Sequence, residues 1–373
     1  MDSGGGPVFD APINSDTGPI INCQYTDDVD HDGDGYSYVD GDCNDCDPNA
    51  NPGAFDVIGG VDGGPGVDED CNGVVDDEPT DCDVGIDIAD PDPMAGARAI
   101  GLCRVATPNA QGKDRTWGVV SARYVKADGT DGMNQASHGV LPNFGVANVQ
   151  QGASMLALSS GTARAPGMPG YQSSSGAQMG TNSAPPAGYP KESPACPGVT
   201  TGGVFDPAAL ELVIRVPTNA KSFTFNLNFY TFEFPDYICS EFNDFYVTMM
   251  NPRPPNLPDD NISFDQDGNP ISVNNSLLQV CSAQNAGGKN FPCPLGPSLL
   301  QNTGFTGPII GEHAATGWLQ TRAPVEPGSE ITLRFAIWDS GDAVLDSLVL
   351  VDNLQWSLDP AAGSTTEPVP VPK

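Results

Sequence analysis

Lys221-Ser222-Phe223-Thr224-Phe225-Asn226-Leu227-Asn228-Phe229-Tyr230-Thr231 alternates without a break. Phe223, Phe225, Leu227 and Phe229 face one way; Ser222, Thr224, Asn226 and Asn228 face the other. A period of two belongs to a β-strand with one face on a core and one toward water. Glu330–Trp338 repeats the pattern, with Ile331, Leu333, Phe335 and Ile337 inward. Leu348–Trp356 reads as a more fully buried strand, and Trp117–Val125, Ser154–Ser159 and Leu210–Val216 add three candidates. No segment carries a helical period, and 44 Gly and 36 Pro supply turns. The expected fold class is all-β: a jelly-roll-like antiparallel β-sandwich.

Outward from these strands the composition changes. Residues 1–22 are rich in Gly, Pro and Asp and read as a flexible lead. Residues 23–82 are acidic and turn-rich, with too little apolar surface to fold alone, so metal and disulfides must hold them. Residues 83–116 read as a connector, 117–358 as the sandwich and 359–373 as an extended Pro-rich tail. Within the sandwich, residues 161–204 form a long Gly/Pro/Ser/Ala loop of the kind that is usually functional or disordered.

The formal charge is −33, and residues 1–97 hold 25 acids and no Lys or Arg. Such a field repels nucleic acid and anionic membrane surfaces and attracts divalent cations. Ten cysteines in loop-like contexts suggest disulfides and an oxidising compartment. Cys82 with Cys103 and Cys281 with Cys293 are the expected neighbouring pairs. Cys43-x-x-Cys46 lacks a second such pair, and with three His in the chain zinc is disfavoured. No apolar run is long enough to span a membrane. Met1 followed by Asp2-Ser3-Gly4-Gly5-Gly6 reads as a mature N-terminus with an added start Met. A secretion signal, and with it a lipid anchor, is expected to precede it naturally; a C-terminal anchor is the other option.

Asp28-Val29-Asp30-His31-Asp32-Gly33-Asp34-Gly35 contains D-x-D-x-D-G. Alternate side chains of a tight loop point at one centre, and crowded hard oxygen ligands suit Ca²⁺. Asp30, Asp32 and Asp34 are the first three expected ligands, and the Tyr36 carbonyl is the fourth. The twelfth position is Gly41 rather than the EF-hand Glu, so Asp40 or Asp42 must close the shell. A second copy, Asp68-Glu69-Asp70-Cys71-Asn72-Gly73, offers Asp68, Asp70 and Asn72, with Asp76 and Asp77 downstream.

D-x-D-x-D-G-Y, then Asp42-Cys43-Asn44-Asp45-Cys46-Asp47-Pro48, Asn51-Pro52-Gly53-Ala54 and the second acidic copy follow in that order. Over residues 23–78 this resembles the metal-binding motif repeat of bacterial surface proteins. The resemblance implies an extracellular location and divalent-metal binding. The chain departs from the family at Cys46 and in a Gly-rich stretch, Gly59–Gly66, where another Cys is usual.

A second resemblance covers residues 117–357. Thr231-Phe232-Glu233-Phe234-Pro235-Asp236-Tyr237, then Asn243-Asp244-Phe245, and later Asp339-Ser340-Gly341-Asp342 with Asp346-Ser347, resemble the choice-of-anchor L domain of secreted bacterial proteins. That implies an extracellular β-sandwich without an established activity. Phe232 stands where the family carries an acid.

Glu233, Asp236, Glu241 and Asp244 lie in one strand connection and Asp339, Asp342 and Asp346 in another, with no base nearby. Glu233, Asp236, Asp244, Asp339, Asp342 and Asp346 are expected to form one rim site that binds a cation, with Trp338 as a platform for a sugar ring. Turn chemistry is the plainer account of each acid taken singly. No nucleophile elbow, zinc-protease or phosphate-loop motif occurs, and the Glu233–Glu241 pair is the one glycosidase option. The expected function is therefore non-enzymatic: a secreted or cell-surface calcium-binding module for adhesion to a glycan or protein ligand. The alternative is a self-associating subunit of a surface layer, fibre or appendage.

Overall fold

The computed structural model describes residues 25–59, 66–76, 81–200, 202–275, 277–306 and 313–370. The lead at residues 1–22 and the candidate ligand Asp77 lie outside the described residues. The chain divides into two compact units: residues 1–79 with 109–116, and residues 80–108 with 117–373.

The larger unit is an antiparallel β-sandwich. Its principal strands, apart from six short ones of two or three residues, are β1 Gly118–Val125, β2 His138–Leu141, β3 Met155–Ser159, β4 Val204–Arg215, β5 Ser222–Thr231, β6 Phe245–Asn251, β7 Ile271–Ser272, β8 Leu319–Pro324, β9 Glu330–Ser340, β10 Ser347–Ser357 and β11 Thr365–Pro368. One sheet runs β1-β4-β9-β6-β7 and the other β11-β8-β5-β10-β3-β2. Most connections carry the chain from one sheet to the other, as a jelly-roll-like sandwich requires. The two alternating stretches are central: β5 pairs with β8 and β10, and β9 pairs with β4 and β6. Their inward rings meet between the sheets, with Phe225 and Phe335 edge to face at 5.3 Å. Burying each such ring contributes about 1.5–3 kcal/mol.

The face of β5 expected to meet water does not. Asn226 and Asn228 are only 3% and 5% exposed. A third layer covers the outer side of this sheet, where Phe144, Leu300 and Phe305 pack with Tyr230, Met155, Leu348 and Leu350. The long loop supplies part of this cover through Ala163 and Ala165. It also caps the other sheet, where Tyr189 stacks edge-on against Phe245 and Trp338, and it is tied down by the Cys196–Cys239 disulfide. Its small residues are packing material, which a composition-based reading takes for flexibility.

Two expected boundaries move. Residues 80–108 belong to the sandwich instead of forming a connector. The buried Asp83 carboxylate accepts the N–H groups of Ala153 and Ser154 at 2.9 and 2.6 Å. A short helix, α1 Pro93–Arg98, is capped by Asp92 with Pro at its start. Six residues are too few to show a helical period. The second correction is the tail: Thr365–Pro368 is β11, and Thr366 pairs with Thr321 of β8. The β-branched pair Thr365-Thr366 favours a strand before the prolines begin.

The smaller unit is made of turns. Tyr36, Ala50, Pro52 and Ala54 are its buried apolar side chains among the described residues. Cys43–Cys71 staples its halves, and Cys46 is also disulfide-bonded. The Asn51 N–H donates to the Glu69 carbonyl at 2.8 Å, and the Tyr36 hydroxyl donates to the Arg115 carbonyl at 2.5 Å. So small a core needs such staples. Both neighbouring disulfide pairs expected from sequence, Cys82–Cys103 and Cys281–Cys293, are present.

Candidate metal centre

The first acidic loop is folded by its own carboxylates. Asp30 accepts the N–H groups of Gly33 and Gly35 at 2.6 and 3.0 Å. Asp32 accepts the N–H of Asp34, and Asp34 accepts that of Tyr36 at 2.8 Å. Gly33 and Gly35 adopt φ of +87° and +95°, a turn that side-chain-bearing residues resist. The result is a loop whose acids project inward at alternate positions.

Two groups that share Asp32 converge there, beside a third made by Asp27, His31 and Asp45. Ligand oxygens of Asp30, Asp32 and Asp45 lie within 4.8 Å of one another, and so do those of Asp32, Asp34 and Asp42. Asp42 is thus the closing acid of the two that spacing allowed. Asp40 turns away and accepts the Ser37 hydroxyl at 2.8 Å. Tyr36 donates its N–H to Asp34 and buries its ring. Asp45 was missed from sequence. Its signal is positional: it sits between Cys43 and Cys46, whose disulfides fix it under the loop, and it receives the His31 N–H at 2.7 Å.

In Asp32, Asp42 and Asp45 one oxygen holds the backbone and the other has no partner, whereas both oxygens of Asp30 and Asp34 accept hydrogen bonds. Oδ2 of Asp32, Asp42 and Asp45 and Oδ1 of Asn44 are buried without a hydrogen-bond partner. A buried acceptor left unpaired costs about 1–3 kcal/mol, more when charged. Burial, then neighbouring carboxylates, pushes Asp42 up to about 7. Burial likewise pushes Asp34 up to about 7 and raises Asp32. An all-oxygen, anionic, desolvated donor set fits a hard divalent cation of the calcium kind.

The second loop repeats this more openly. Asp68 and Asp70 converge with Asp56, which sequence reasoning also missed. Asp68 accepts the N–H groups of Asn72 and Gly73, and Asn72 accepts that of Val74 at 2.8 Å. Asp76 instead clasps the Gly59 N–H at 3.1 Å.

The sandwich rim brings only part of its expected set together. Glu233, Asp244, Asp339 and Asp346 are buried side by side. Asp244 accepts the Ser340 N–H and the Ser347 hydroxyl at 3.2 and 2.6 Å, and Glu233 accepts the Asp244 N–H at 3.0 Å. Neither oxygen of Asp339 or Asp346 has a donor in hydrogen-bond geometry. Gly161 leaves room for Asp346: a Cβ there would lie 1.8 Å from its Oδ2. Burial first, then mutual repulsion, holds Glu233 and Asp339 well above the carboxylate range and pushes Asp346 up to about 8. Burial also pushes Asp244 up to about 7. Among the described residues, however, triads of ligand atoms within 4.8 Å occur between Asp27 and Asp70 and not on this rim.

Three rim expectations are corrected. Asp236 and Glu241 are exposed, outside the buried cluster, because the turn after Pro235 carries them outward. Asp342 flanks a cleft of only about 30 Å³ beside Glu233. Trp338 is 1% exposed, packed on Tyr189 and Phe245, with its Nε1 donating to Ser340 Oγ, so it offers no sugar platform.

A larger pocket, about 390 Å³, opens on the outer side of the β5 sheet. Trp318, Tyr230, Gln150 and Gln279 line it together with aliphatic residues and prolines, and none of its lining residues is charged. Nothing in the sequence announces it, because its walls come from six separate segments. No family model, curated protein or solved structure matches this chain.

Proposed function

We propose that the chain is an extracellular calcium-binding module, with an acidic unit ordered by Ca²⁺ and a sandwich that presents a ligand-binding surface for adhesion. The observation that carries the metal half is the set of orphaned, inward-facing oxygens of Asp32, Asp42, Asn44 and Asp45. A divalent cation supplies what each lacks and offsets the charge that crowds them. Disulfides support an oxidising compartment, and no helix among the described residues is long and apolar enough to cross a membrane. The resemblances to the metal-binding motif repeat and the choice-of-anchor L domain support a bacterial cell surface. The uncharged pocket around Trp318 supports a neutral ligand, since aromatic faces and carboxamides together suit sugar rings. Calorimetry tests the metal half: Ca²⁺ binds the wild type, and Asp32→Asn with Asp45→Asn weakens it at least tenfold. Silence up to millimolar Ca²⁺ rejects it. Glycan-array binding that Trp318→Ala abolishes tests the adhesive half.

A further inference from the structure

The converging ligands of the first acidic loop do not form one set. Asp30, Asp32 and Asp45 form one group and Asp32, Asp34 and Asp42 another, and Asp32 belongs to both. The outer members do not merge into a single set: Asp30 and Asp45 close with Asp32, Asp34 and Asp42 close separately with Asp32, and Asp45 also closes with Asp27 and His31. Each group also contains its own orphan. Asp45 is 2% exposed with an unpartnered Oδ2, and so is Asp42, while the unpartnered Oδ2 of Asp32 is common to both. One ion could satisfy one side and would leave the other buried and unpaired.

We infer that the loop binds two calcium ions side by side, bridged by Asp32, with Asp30 and Asp45 on one and Asp34 and Asp42 on the other. This rests on the calcium reading above and deepens it. Charge favours the pair: five carboxylates face two ions carrying four positive charges, whereas a single ion leaves most of the negative charge uncompensated in a desolvated loop. A carboxylate has two oxygens and can bridge two cations, as in known two-metal sites with ions about 3.5–4 Å apart. Asp34 keeps lone pairs free although Tyr36 and Asn51 already donate to it. Binding should be cooperative, because the first ion fixes Asp32 for the second.

The test counts ions on the full chain carrying Asp68→Asn and Asp70→Asn, which silence the second loop. Equilibrium dialysis with radioactive Ca²⁺ should find two ions per chain. Asp45→Asn and Asp42→Asn should each remove one, and Asp32→Asn should remove both. In the same background without further substitution, Tb³⁺ and Eu³⁺ loaded together should show energy transfer at a separation of about 4 Å. This measurement needs no variant of the loop itself. One ion per chain, or Asp32→Asn costing no more than Asp45→Asn, overturns the bridged pair and leaves the calcium reading standing. No bound ion, in this chain and in the wild type alike, overturns both.

Discussion

The acidic unit and the sandwich both bury carboxylates without a Lys or Arg beside them, and they answer the problem differently. In the acidic unit one oxygen of Asp32, Asp42 and Asp45 clamps the backbone, and the other is buried without a partner among converging acids. In the sandwich, Asp244 spends its oxygens on Ser340 and Ser347, and Glu233 spends one on the Asp244 N–H. The first arrangement gathers oxygens that could hold a cation; in the second, burial favours the protonated carboxyls. The contrast teaches that burial and crowding alone do not make a metal site. Convergence of free oxygens is the further requirement.

The largest expected effect separates the units by their cores. Phe335→Ala removes a ring at the centre of the sandwich and should cost about 3–5 kcal/mol in urea unfolding. Calcium affinity of the acidic unit should stay the same; a parallel loss would mean the units fold as one. Next, chelating calcium should strip the acidic unit of its order, seen as rapid proteolysis between Tyr25 and Asp76, while amide-exchange protection of β5 and β9 persists.

A subtler break concerns pH. In unfolded chains these carboxyls titrate near 3.8, but in the fold Asp244 and Asp346 titrate at about 7 and about 8. Between those values the folded state binds more protons than the unfolded one. Calcium-free sandwich stability should therefore fall as pH rises from about 4 to about 8, by at most about 1.4 kcal/mol per pH unit for each titrating group. Asp339→Asn should flatten that slope and stabilise the sandwich at pH 8. A rise in stability over the same interval would show that a cation, not protons, neutralises the rim. The smallest effect belongs to the exposed Asp236: Asp236→Ala should move stability by no more than about 0.5 kcal/mol.

The alternating stretches at Lys221–Thr231 and Glu330–Trp338 made the sandwich legible, because a strict period of two has one structural meaning. The convergence of acids in the two loops was legible for a similar reason, since D-x-D-x-D-G joins spacing to turn chemistry. Asp45 and Asp56 escaped because disulfides and chain reversal, not local spacing, deliver them to the ligand groups. The outer cover of the sandwich escaped too. Ala163, Ala165 and Tyr189 lie in a stretch whose composition mimics a linker, and only the tertiary fold gives them a surface to bury. Trp338 failed as a platform because alternation assigns it to an outer face without saying whether that face is covered.

One strand has a meaning for the life of the chain before it is folded. β11 closes the flank of β8 through Thr365–Pro368. Until those residues arrive, the backbone of Leu319–Pro324 presents an open row of donors and acceptors to any neighbouring molecule, the kind of edge from which aggregates grow. A shortened version ending before Thr365 would carry that hazard permanently, so solubility, rather than affinity, is what such a truncation would forfeit.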